Sequence, residues 1–148
     1  MEYCQKCPDA VARIRGGEEA PQLRGCVAFY QERGWVRIVA KIFGLPDSET
    51  GFFAFHIHQG ESCSGTDFSE TGSHYNPDDQ PHPKHAGDLP TLLECQGNAY
   101  LSVKTDRFRV KDIIGRTVVI HSGPDDFRTQ PAGNAGKKIA CGVIRKGQ

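Results

Sequence analysis

Nowhere in this 148-residue chain do apolar side chains run for anything near the roughly 20 positions that a bilayer-spanning helix needs. Nor does the start, MEYCQKCPDAVARIRGG, carry the apolar stretch of a secretory leader. Both absences argue against a membrane partner. The chain as given is expected in the cytoplasm, or in a periplasmic or extracellular space if a leader has been removed. A surplus of one charge is also missing, since 18 Lys and Arg balance 18 Asp and Glu. No global field draws the chain to nucleic acid or to an anionic membrane, and any charge-based function must be local. Long helical periods are absent too, because 17 Gly and 9 Pro break the apolar residues into short runs. Six cysteines are too few, in a chain of this size, for a scaffold held mainly by disulfides.

What is present is a series of short strand-like segments, at 10–14, 25–31, 35–42, 52–58, 89–94, 99–103, 117–121 and 138–144. About eight strands separated by turns predict an all-β, eight-stranded antiparallel Greek-key sandwich or flattened barrel. Glu32-Arg33-Gly34 and Gly97-Asn98 read as hairpin turns. Two long segments, 59–87 and 122–137, lack strand character and are expected to be functional loops. Residues 1–9 read as an extension holding Cys4 and Cys7, and residues 10–148 as one domain.

All six histidines fall in three of these segments. His56 and His58 alternate in a strand pattern, so both imidazoles project from one face and can grip one ion. An isolated pair of this kind is more readily a solvated sheet face. His74, His82, His85 and Asp88 lie together in the first long loop, and three nitrogens with one carboxylate make a good tetrahedral zinc set. His121 ends the run Thr117-Val118-Val119-Ile120-His121. The confinement of every histidine to these segments favours a metal site over incidental surface composition.

The motifs FHIHQG (55–60), GSHYNP (72–77), HAGDLP (85–90), IIGRTVVIH followed by SGPDD (113–126) and GNAGKKIACGVI (133–144) occur in an order that resembles the copper/zinc superoxide dismutase family. The resemblance implies that His56, His58 and His121 hold copper, that His74 bridges, and that His82, His85 and Asp88 complete a zinc site. It implies that Asp125 accepts hydrogen bonds from one histidine of each site, and that Cys63 and Cys141 form a disulfide worth roughly 3–5 kcal/mol. Reduced thiols are the alternative in a cytosolic protein. The implied activity is conversion of the substrate superoxide to oxygen and hydrogen peroxide by copper redox cycling, with His74 both ligand and general acid.

Three departures accompany the resemblance. The family places an arginine beside the copper within a GNAG-x-Arg pattern, and this chain has Lys138 there. Lysine keeps the charge but lacks the planar fork of donors, so dismutation at a reduced rate is expected. The segment between His82 and His85 and the second loop before Gly133 are short, which resembles compact bacterial members. The charged end, Gly142-Val143-Ile144-Arg145-Lys146-Gly147-Gln148, argues against the apolar dimer interface of the animal enzymes, leaving monomer or homodimer. Lys137 and Arg128 could add a local positive field. Cys4 and Cys7 could serve as an accessory metal or redox pair, or be idle thiols of a tail. The alternative function is a copper-buffering or delivery module on the same fold, with little turnover.

Overall fold

The computed structural model describes residues 6–147, so Cys4, and with it the Cys4/Cys7 pair, lies outside the described residues. Seven strands form one antiparallel sheet in the order β5-β8-β9-β1-β2-β3-β7, from β1 (Ala10–Gly16), β2 (Arg24–Gln31), β3 (Val36–Phe43), β5 (Phe55–His58), β7 (Ala99–Thr105), β8 (Thr117–His121) and β9 (Lys138–Lys146). The short strands β4 (Phe52–Phe53) and β6 (Leu92–Leu93) pair with each other. Because β4 leads into β5 and β6 turns into β7, this small pair joins the two edges of the large sheet. A single helical turn, α1 (Val110–Ile113), lies between β7 and β8. Among the described residues no helix is long and apolar enough to cross a membrane.

Alternation explains the strands. In β1, Ala10, Ala12 and Ile14 are buried while Arg13 and Arg15 are exposed, and β3 repeats the pattern with Ile38, Ala40 and Ile42 inside. The inner face is closed by Phe29, Phe53, Phe55, Ile57, Ile120 and Ile144, all fully buried. Each such side chain contributes about 1.5–3 kcal/mol of hydrophobic stabilisation. The strands that carry His56, His58 and His121 are anchored from beneath by this core.

Three details differ from the sequence reading. The segment 52–58 breaks at Ala54 into two strands, because Ala54 N–H donates to Gly123 O, outside the ladder. The segment 89–94 shrinks to Leu92–Leu93: Asp88 bridges to His56 instead, and Pro90 has no N–H to give. The β6–β7 turn is Gln96-Gly97, both at positive φ (53° and 82°), one residue earlier than expected.

Candidate metal centre

The first long loop returns its ligands to the edge strand β5. Isolated bridges join His58 to His74 and His56 to Asp88. Between them Tyr75 N–H donates to Ile57 O and Ile57 N–H to Gly87 O, each at 2.8 Å. Gly87 allows this approach, since a Cβ there would run into the Ile57 carbonyl. The loop thus covers an otherwise open sheet edge and fixes His74 and Asp88 beside the strand histidines.

Hydrogen-bond partners assign the tautomers. His58 Nδ1–H donates to Gly72 O (2.8 Å) and His121 Nδ1–H to Gly136 O (3.2 Å), because a carbonyl can only accept. Both Nε2 atoms are then bare, yet they face each other at 3.3 Å. Two lone pairs at that distance repel unless a cation sits between them. His56 Nε2–H donates to Asp125 Oδ2 (2.7 Å), which leaves His56 Nδ1 bare, buried and without a partner. His74 Nε2 is likewise buried and unpartnered. These four nitrogens form one cluster, all within 4.8 Å of one another.

The other face of His74 belongs to a second cluster, with His82, His85 and Asp88. His74 Nδ1 lies 2.8 Å from Asp88 Oδ1 and 3.2 Å from His85 Nδ1. His82 Nδ1 is 3.0 Å from Asp88 Oδ2 but out of line for a hydrogen bond, and its Nε2–H donates to Asp125 Oδ1 (2.8 Å). The structure therefore brings all six histidines and Asp88 together, His82 included. Orphaned buried nitrogens that converge from several elements fit metal ions better than any internal hydrogen-bonding scheme. The four-histidine set suits copper, and the set of three histidines and one carboxylate suits zinc. Asp125 also lies close to His56 and His82, but both rings present an N–H to it, so it orients the rings and is not itself a ligand.

Burial dominates the electrostatics. It holds His56 and His85 below the ordinary histidine range, His58 well below it, and His121 at about 3. Neutral imidazoles are the form that binds metal. For Asp88, burial acts to raise the pKa but is outweighed by the His74 hydrogen bond and the neighbouring histidines, and the net shift is downward. In Asp125 burial is outweighed by hydrogen bonds from His56, His82 and the Phe127 N–H, and its carboxyl is held far below the carboxylate range.

Lys138, opposite His121 in the β8–β9 pair, is half-buried. Its ammonium donates to Thr71 Oγ1 (2.8 Å) and to Gly72 O (2.9 Å), the carbonyl that also anchors His58. Burial lowers its pKa. Lys137 is instead paired with Glu19 at 2.8 Å, so its charge is largely matched at the surface. Cys63 and Cys141 are joined in a disulfide, with Cα atoms 5.8 Å apart, that ties the first loop to β9.

Sequence reasoning missed two supports. Gln130 clamps the His82 backbone from the second loop, accepting His82 N–H (2.8 Å) and donating to His82 O (2.7 Å). Arg107 donates to Pro83 O (2.8 Å) and His85 O (3.1 Å) from the segment after β7. Both act on backbone atoms, which leaves no residue pattern to read. Gly133 lies in the GNAG motif, at φ 72°, where a Cβ would run into the Asp125 carboxylate.

The chain matches the description copper/zinc superoxide dismutase over residues 23–144. It is 40% identical over 117 residues to superoxide dismutase [Cu-Zn] 2 of Aquifex aeolicus, covering 69% of this chain and 67% of that one. With superoxide dismutase [Cu-Zn] 1 of the same organism it shares 39% over 139 residues, 82% and 79% of the two chains. The rat copper chaperone for superoxide dismutase is 29% identical over 161 residues, 93% of this chain and 58% of that one. With its metal-binding histidines all in place, the chain belongs to the copper/zinc superoxide dismutase family.

Proposed function

We propose that the protein dismutates superoxide, two anions and two protons giving one oxygen and one hydrogen peroxide, at a rate limited by Lys138. The observation that carries this reading is the division of His74, whose Nε2 joins the four-histidine cluster and whose Nδ1 joins the cluster with Asp88. Copper bound by the first cluster supplies one-electron exchange with superoxide, and zinc bound by the second supplies charge and rigidity. His74 Nε2 has no protein partner, so a proton held at that atom can pass to a small anion beside it. Asp125 keeps the His56 and His82 rings in the tautomer that presents Nδ1.

Lys138 attracts the anion. Two of its three protons are committed to Thr71 and Gly72, leaving a single donor, and one point contact orients a diatomic anion less well than a guanidinium fork. The resulting expectation is a lower rate with the ligands intact.

Copper delivery is the second reading, favoured by the similarity to the copper chaperone across 93% of this chain. Superoxide decay followed with copper and zinc bound, and again after copper is withdrawn with zinc retained, separates the two. The dismutase reading expects decay that depends on copper. Full copper loading with no faster decay than the metal-free protein would refute it.

A further inference from the structure

The zero net charge of the chain conceals a segregation by element. Strands β9, β1, β2, β3 and β7 are consecutive neighbours in the sheet and contain no Asp or Glu. Their outward positions carry Arg13 and Arg15 on β1, Arg24 on β2, Arg37 and Lys41 on β3, Lys104 on β7 and Arg145 on β9. Arg15 stands directly opposite Arg24, and Arg37 directly opposite Lys104. Like charges placed so destabilise a sheet.

Among the described residues none of these cations forms a salt bridge. Three lie instead over aromatic rings: Arg24 over Phe43 at 5.9 Å, Arg37 over Tyr30 at 4.2 Å and Lys104 over Trp35 at 5.0 Å. A ring steadies a cation without neutralising it, so the charge remains available to a partner. Two shallow depressions of about 730 and 660 Å³ follow the same face, both lined by Arg13 and Arg15, and neither lining includes an acidic residue.

We propose that this face docks the protein reversibly on an anionic lipid surface. The cations are spread over five strands, about 19 Å measured along the curled sheet at the usual strand spacing, rather than along one track. An areal pattern matches a layer of headgroups better than the single line of a nucleic-acid backbone. The sheet curls around its core, so this face is convex and meets a plane at a tangent, whereas a linear polyanion is held best in a groove. Phe43 (42% exposed) beside Arg24 and Tyr100 (67% exposed) opposite Lys41 place rings among the cations, the combination that suits the boundary between headgroups and acyl chains. The strand-borne metal ligands, His56 and His58 on β5 and His121 on β8, lie beyond β9 and outside the docking face.

The test is flotation of the metal-loaded protein with vesicles of phosphatidylcholine alone and of phosphatidylcholine mixed with phosphatidylglycerol. The protein should float with the anionic vesicles only, and added salt should release it. Arg13→Glu combined with Arg15→Glu should weaken binding at least about tenfold, while Lys111→Glu on α1 leaves it unchanged. If that pair does not fold, Lys41→Glu with Lys104→Glu carries the same comparison. No flotation at low salt, an equal loss in Lys111→Glu, or tighter capture by a single-stranded oligonucleotide than by the vesicles would overturn the proposal. None of these outcomes depends on dismutase activity.

Discussion

Asp125 reaches both clusters at once, one carboxylate oxygen on His56 and the other on His82. Asparagine offers one oxygen and one NH2 there, so one ring must turn an acceptor toward it and carry its proton on Nδ1, the atom needed for metal. Asp125→Asn should therefore weaken one metal by about 10- to 100-fold with little change in fold, measured by chelator competition. Equal affinities in variant and parent would show that the tautomer is not held by Asp125. At Lys138 the issue is orientation. Lys138→Arg should raise the rate of superoxide consumption at fixed copper content, and an unchanged rate would mean that charge alone suffices. The metal-binding side chains were legible because their chemistry clusters in sequence. Gln130 and Arg107 were not, because they bind backbone atoms 48 and 22–24 residues away.

Elements place the ligands. Strand β8 appears over Thr117–His121 as its apolar run predicts: it lies between β5 and β9, and all five residues are buried. The segment 89–94 misled, since its first residues follow a loop whose backbone is committed to β5. Loop conformation of that kind is set by distant partners and has no local period. The Cys63–Cys141 link closes a span of 78 residues, which the chain-entropy relation values at about 4–5 kcal/mol. Cys141→Ser should lower unfolding free energy by about that amount in denaturant titration, with the first loop loosened most. A change near zero would mean that the loop is held by its metal ligands and hydrogen bonds alone. Gln130→Ala should reduce zinc affinity more than copper affinity, since the clamp acts on His82 and on none of the four-histidine set. Equal effects on both metals would assign Gln130 to general loop stability.

At the scale of the molecule, the metal-free protein stores a dependence on pH. His58 and His121 are neutral when folded and have pKa values lowered by burial, to about 3 for His121. Below about pH 6.5 the unfolded chain takes up protons that the folded chain refuses, so stability falls as pH falls, by up to about 1.4 kcal/mol per unit per histidine. Asp88 and Asp125 add in the same direction at lower pH: their depressed pKa values contribute stability above the ordinary value of 3.8 that is lost as pH drops through the folded values. Denaturant midpoints of the metal-free protein should be flat above about pH 7 and decline steadily toward acid. A midpoint that does not move between neutrality and pH 5 would contradict buried neutral histidines. The balance of 18 basic and 18 acidic residues was plain in the sequence, but their sorting onto strands and loops appears only once the pairing is known.

The division of His74 between two ions is open to direct view. Anomalous diffraction at the copper and zinc absorption edges, on one crystal of the fully loaded protein, should give two separate peaks. Copper is expected on the Nε2 side of His74 with His56, His58 and His121, and zinc on the Nδ1 side with His82, His85 and Asp88. A single peak, or copper on the Asp88 side, would contradict the account.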